Sequence, residues 1–203
     1  MKLSIIVPVY NEERLLLRAL NSIPLSKDYQ LILIDDGSTD NSFEIMTEWL
    51  YDNIEKIGAY ILKQEKQNKG VANAMNYGFD NAIGEYIVSL SSDDYFIKSF
   101  SSIMPYLDGK NDLVYFDLQI NNGEIWHLNR ISKKQYVGAV KFIRRKFLGD
   151  IRVPNLNWHE DVPFSKMLYA KHPKEVFTSI ILKHYNYPHI GSLTWRANHK
   201  EVK

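Results

Sequence analysis

The stretch Gln30-Leu31-Ile32-Leu33-Ile34-Asp35-Asp36-Gly37-Ser38-Thr39-Asp40 decides the fold. Its apolar run does not alternate with polar residues and is too short for a helix of ordinary length. It therefore reads as a strand buried on both faces, as in a parallel sheet. It stops abruptly at two carboxylates and a glycine. Leu3 to Val9, Ala59 to Leu62 and Tyr86 to Leu90 repeat the pattern, and the first and last also run into polar turns, Tyr10-Asn11-Glu12 and Ser91-Ser92-Asp93-Asp94. Between these runs lie helix-period segments at Glu12 to Ser22, Ser42 to Asn53 and Val71 to Ile83, the second preceded by the capping-type residues Asp40 and Asn41. Strand alternating with helix implies right-handed crossovers and a Rossmann-like α/β fold, a mostly parallel sheet flanked by helices that binds ligands beyond the strands' carboxyl ends. The polar motifs fall at those ends.

The second half is less regular. It offers an apolar run at Leu113 to Leu118, a turn at Asn121 to Gly123, a short strand at Glu124 to His127, a helix at Val162 to Ala170 and a strand at Val176 to Leu182. With 203 residues and no repeat or linker, the chain reads as one domain over 1–203. About 1–110 form a ligand-binding half and about 111–203 a smaller mixed region. Lys and Arg number 25 against 24 Asp and Glu, so no basic field draws in nucleic acid. The absence of cysteine removes disulfides, thiolate nucleophiles and cysteine-ligated zinc, leaving oxygen and imidazole to hold any metal. The start, Met1 to Glu13, reads as a strand rather than a signal peptide, and no apolar run nears the roughly 18 residues of a membrane span. A cytoplasmic location is expected, with peripheral attachment to a membrane compatible.

Each polar motif has a structural and a functional reading. Pro8, just before the turn at Tyr10-Asn11, interrupts a strand: it marks either an edge-strand end or the rim of a pocket. An Asx turn accounts for Gly37 to Asp40, but not for two acids leaving a buried strand, where a carboxylate can accept a hydrogen bond from a nucleotide. Asn68-Lys69-Gly70-Val71 opens a helix whose first amides suit a phosphate, or simply carries asparagines for solubility. Asp93 and Asp94 end a buried strand as hard oxygen donors for a divalent metal, with a helix cap as the alternative, which suits Asp94 better. Trp158-His159-Glu160-Asp161 precedes a helix that Asp161 could cap.

In order and spacing these motifs resemble the family 2 glycosyltransferases, from Pro8 to Asp161. Such proteins read P-x-Y-N, D-D-G-S-x-D, N-x-G-x-x-x-A-R-N-x-G, D-x-D-D and E-D. The resemblance implies a GT-A fold and inverting transfer of a sugar from a nucleotide-sugar donor, with uridine diphosphate sugars first, onto a glycan or lipid-linked acceptor. It implies a nucleotide pocket built from Pro8, Tyr10, Asn11, Asp36, Asn68, Gly70, Ser91 and Ser92, with Asp36 bonding the base. It further implies Mn2+ or Mg2+ on Asp93, with His189 of a tyrosine-rich segment approaching the metal or phosphate, and Asp161 as catalytic base. Trp126, Trp158 and Trp195 are candidates for stacking on sugars, against the commoner fate of core packing.

Two positions depart from the family pattern. Ser91 stands where the leading aspartate of D-x-D is usual, and Met75 replaces an arginine that faces the diphosphate, with Lys69 nearby as a substitute. They keep alive a second reading, a sugar-nucleotide-binding protein with impaired catalysis. A nucleotidyltransferase would carry a basic, glycine-rich first turn where Asn11-Glu12-Glu13 stands, and a dinucleotide oxidoreductase would show G-x-G-x-x-G there.

Overall fold

A computed structural model describes residues 1–129, 139–156, 160–187 and 189. Its frame is a nine-stranded sheet. The parallel part comprises β1 (Leu3–Val9), β2 (Tyr29–Asp35), β3 (Ala59–Gln64) and β4 (Tyr86–Ser89) in the order β3-β2-β1-β4. Helices α1 (Leu16–Asn21), α2 (Ser42–Asn53) and α3 (Val71–Asn81) make the connections. From β1 the chain steps one way to β2 and β3 and then returns to place β4 on the other side. That reversal opens a crevice at the carboxyl ends of β1 and β4, the place where such sheets bind ligands.

Beyond β4 the sheet continues through β8 (Lys141–Arg144), β6 (Leu113–Ile120), β9 (Glu175–Tyr185) and β5 (Tyr95–Phe96), with β7 (Ile125–Trp126) paired to β6. β8 runs antiparallel to both neighbours, whereas β6 and β9 are parallel to each other. A short helix, α4 (Arg145–Leu148), follows β8, and α5 (Asp161–Tyr169) carries Asp161 at its first position. The two halves expected from the sequence thus share one sheet, and a continuous core joins Ile5, Ile32 and Val88 to Phe116, Phe142 and Leu182. Among the described residues, no helix is long and apolar enough to cross a membrane.

Pro8 does not interrupt β1, which runs through it and lies inside the sheet rather than at an edge. The Ile6 carbonyl accepts from Leu90 on the β4 side and the Val9 carbonyl accepts from Asp36 on the β2 side. The nitrogen of Pro8 therefore faces the β4 side, past the last β1–β4 pair at Ile6 and Ser89, where no ladder bond is lost. Helix α1 starts at Leu16, not Glu12, and the amides ahead of it are held by side chains of the turn after β2 and of the first residue of α2. The Asn11 amide donates to Ser38 Oγ, that of Glu12 to Ser42 Oγ and that of Glu13 to Asp40 Oδ2, while Asn11 itself adopts φ +50°. Asn11 Oδ1 accepts from the Thr39 amide in return. The turns after β1 and β2 are thereby zipped together. Gly37, at φ +77°, lets the second turn close on the 67–68 backbone, since an added Cβ would sit 2.5 Å from the Gln67 carbonyl carbon.

Candidate functional site

The crevice is a cavity of about 760 Å3. Its walls bring together Pro8, Tyr10, Asn11, Asp36, Asn68, Gly70, Ser91, Ser92, Asp93, Asp161 and His189, so all the residues given above for the nucleotide, the metal and the base meet the same space. Trp158 and His159, with the residues from 190 onward, lie outside the described residues.

Asp36 is buried, and its two oxygens accept from the Lys69 amide at 3.0 Å and the Gly70 amide at 2.8 Å. Burial raises its pKa, opposed by those two bonds. The two amides just before α3 are thus spent on Asp36. Gly70, at φ +91°, is the residue that turns the chain into the helix. Asp36→Ala is expected to cost about 2 to 3 kcal/mol in a urea titration, because charge-assisted bonds are lost and their donors left unpaired.

Asp93 and Asp94 have separate duties. Asp94 is fully buried, with Oδ2 2.8 Å from Lys183 Nζ on β9 and Oδ1 accepting the Asn186 amide at 2.9 Å. No helix follows, so Asp94 is an anchor to β9 and not a helix cap. Asp93 turns into the cavity, where its Oδ2 lies 3.0 Å from His189 Nδ1. Burial first, and the charge of Asp94 second, raise the pKa of Asp93, opposed by His189 and Lys183. A further cation beside Asp93 would relieve that cost; the carboxylate suits Mn2+ or Mg2+, and the imidazole is a ligand that Mn2+ accepts more readily than Mg2+. Among the described residues no three His, Asp or Glu side chains converge as a metal cage. Two protein ligands with diphosphate oxygens and water completing the shell is the usual arrangement for such ions. Glu12, also on the wall, has its pKa raised by burial and then by Asp93.

Met75 lines the cavity where the family pattern has arginine, and Lys69 does not replace it: its Nζ lies 2.6 Å from Glu65 Oε2. Two lysines line the cavity from the sheet, Lys141 of β8 and Lys183 of β9, the second with its ammonium bonded to Asp94. Sequence reasoning missed both. Trp126 pairs with Leu118, a lining residue, and so shares its face of the sheet, but it packs on Tyr185 and Tyr187 with ring centroids 5.7 and 5.2 Å away.

The model of the family described as Glycosyl transferase family 2 matches residues 4–177, from β1 into β9. The chain belongs to glycosyl transferase family 2. A relative from Haemophilus influenzae, described as an uncharacterized glycosyltransferase, is 31% identical over 97% of this chain and 82% of its own length. The poly(ribitol-phosphate) beta-glucosyltransferase of Bacillus spizizenii is 35% identical over 90% of this chain but only 26% of its own. In structure, this family 2 chain resembles S. aureus TarS 1–349 in complex with UDP-GlcNAc, with TM-score 0.77, 23% identity and coverage of 96% of this chain and 61% of that one. It also resembles the Pyrobaculum calidifontis mannosyltransferase PcManGT in complex with GDP-Man and Mn2+, with TM-score 0.72, 18% identity and coverage of 96% and 59%. Both likenesses show the GT-A fold. The family 2 chain thus spans most of the Haemophilus relative but about three-fifths or less of the others.

Proposed function

We propose that this glycosyltransferase moves a sugar from a uridine diphosphate sugar onto an acceptor hydroxyl with inversion at the anomeric carbon. The observation that carries the reading is that one cavity holds the nucleotide-side motifs after β1, β2 and β4 and, from α5, the carboxylate of Asp161. Pro8, Tyr10 and Asn11 border the base, and Asp36, already fixed by two amides, contacts it. Asn68, Gly70, Ser91 and Ser92 border the remainder of the nucleotide. The choice of uridine is supported by the UDP-GlcNAc complex of TarS.

Asp161 takes the proton from the acceptor hydroxyl as its oxygen attacks the anomeric carbon from the side opposite the diphosphate, and UDP departs with the bonding pair. A Mn2+ or Mg2+ ion held by Asp93 and His189 would supply neutralisation of the charge on the departing diphosphate. Asp94 and Lys183 keep Asp93 in place. A glycan or lipid-linked molecule is the proposed acceptor; the Bacillus relative is named for a polymeric acceptor, poly(ribitol-phosphate). Placing the base and the donor residues on one cavity favours a catalyst over a binder alone.

The test is a thermal-shift screen of UDP-GlcNAc, UDP-glucose and GDP-mannose with and without Mn2+. A UDP-sugar is expected to raise Tm with Mn2+ present, and Asp93→Asn to remove the Mn2+-dependent part of that rise, since an amide is a poorer ligand for a hard cation. No stabilisation by any nucleotide sugar, or a Mn2+ effect unchanged in Asp93→Asn, would sink the donor site or its metal position.

A further inference from the structure

Lys141 is 2% exposed on a strand whose neighbours, Val140 and Phe142, are core residues. Methionine would fill the position with no ammonium to desolvate, so a structural account alone gives no reason for a cation here. The geometry around Nζ supplies one. Lys141 lines the same cavity as Asp161, and its Nζ lies 3.2 Å from the hydroxyl of Ser165, one turn along α5 from Asp161. The ammonium also sits 5.7 Å over the ring of Tyr115 on β6. The charged groups acting on it are Asp161 from α5 and Glu175 from β9, beside Ser165 of α5 and the ring of Tyr115 of β6. The Tyr115 hydroxyl bonds that of Tyr169 and reaches Glu175 Oε1 at 3.3 Å.

We propose that Lys141 is a positioning residue for the catalytic base: its buried ammonium, fixed by Ser165 and the Tyr115 ring, orients the Asp161 carboxylate towards the acceptor and balances its charge. The inference rests on the reading of Asp161 as base. A cation set behind the Asp161 carboxylate by a second element holds it inward, and the backbone that carries this cation is held in place because β8 is paired on both sides. Burial holds the pKa of Lys141 down to about 8, against the opposing pull of Asp161 and then Glu175. The ammonium is therefore charged below about pH 8 and loses its charge above it, so its hold on Asp161 should fade through that range.

The experiment measures UDP release from UDP-GlcNAc with Mn2+, water serving as acceptor, for the wild type, Lys141→Met, Asp161→Asn and the double variant. UDP affinity by calorimetry and Tm are recorded for each. Lys141→Met is expected to lower release about tenfold or more with UDP affinity unchanged. In the Asp161→Asn background the same substitution should add nothing, because its partner is already disabled. Wild-type release should fall above about pH 8, whereas Lys141→Met should show no such limb. A wild-type rate in Lys141→Met, or an equal loss in both backgrounds, overturns the proposal. Should Lys141→Met fail to fold, Lys141→Gln is held to the same criteria, and a wild-type rate sustained to about pH 9.5 overturns the proposal without any variant. Failure of the underlying reading looks different: Asp161→Asn would then release UDP as fast as the wild type, or the wild type would release none.

Discussion

Lys183→Met is expected to destabilise the protein by about 3 to 5 kcal/mol in a guanidinium titration. Lys183 and Asp94 are 1% and 0% exposed in their side chains, and their charged atoms lie 2.8 Å apart. Removing the ammonium leaves a carboxylate in the core with the Asn186 amide bonded to it, and the charge can no longer be balanced locally. Since a domain's whole stability is about 5 to 15 kcal/mol, a loss of this size is a large fraction of it. The pair itself contributes far less, because both ions were desolvated to form it. Lys183→Met combined with Asp94→Asn should therefore recover much of the loss. A single variant within about 1 kcal/mol of the wild type would mean that water reaches Asp94 and that Asp93 is held by something other than this pair.

That pair also shows where the sequence stopped being informative. Strand β1 and helix α2 have the bounds expected from the sequence, Leu3–Val9 and Ser42–Asn53, because the first is a short apolar run ended by a polar turn and the second a helix-period segment behind capping-type residues. The acids after β2 and β4 were legible for the same reason, as charges at the ends of buried runs. What each acid does was not legible, since its partner is remote: Asp94 meets Lys183 89 residues away and Asp36 meets Gly70 34 away. β8 was missed because Lys141 breaks the apolar run Ala139 to Ile143, and only the fold reveals that this lysine is buried. β9 was read too short at both ends for a related reason, with polar Glu175, Lys183 and His184 lying inside the strand. In each case a charged side chain looked like surface and was part of the cavity floor or its support.

Asp161→Asn is expected to bind UDP with wild-type affinity while releasing it from a UDP-sugar at least about a hundredfold more slowly. Asp161 opens α5, across the sheet order from the nucleotide-side turns after β1 and β2, yet it lines the same cavity as Asp36 and Asp93. In the proposed reaction this group acts on the acceptor and not on the nucleotide, so binding and chemistry should separate. Asparagine keeps the size of the side chain and one acceptor oxygen but cannot take a proton, so any structural duty at the helix start survives while the base is lost. Wild-type UDP affinity with a collapsed rate is the signature of a base, and Tm should fall somewhat as well, because asparagine no longer balances the buried Lys141 ammonium. Loss of Tm and UDP affinity together would instead mark Asp161 as a structural residue of α5. A retained rate would remove it from the chemistry, and Glu160, which precedes it and also lines the cavity, would become the next carboxylate to test.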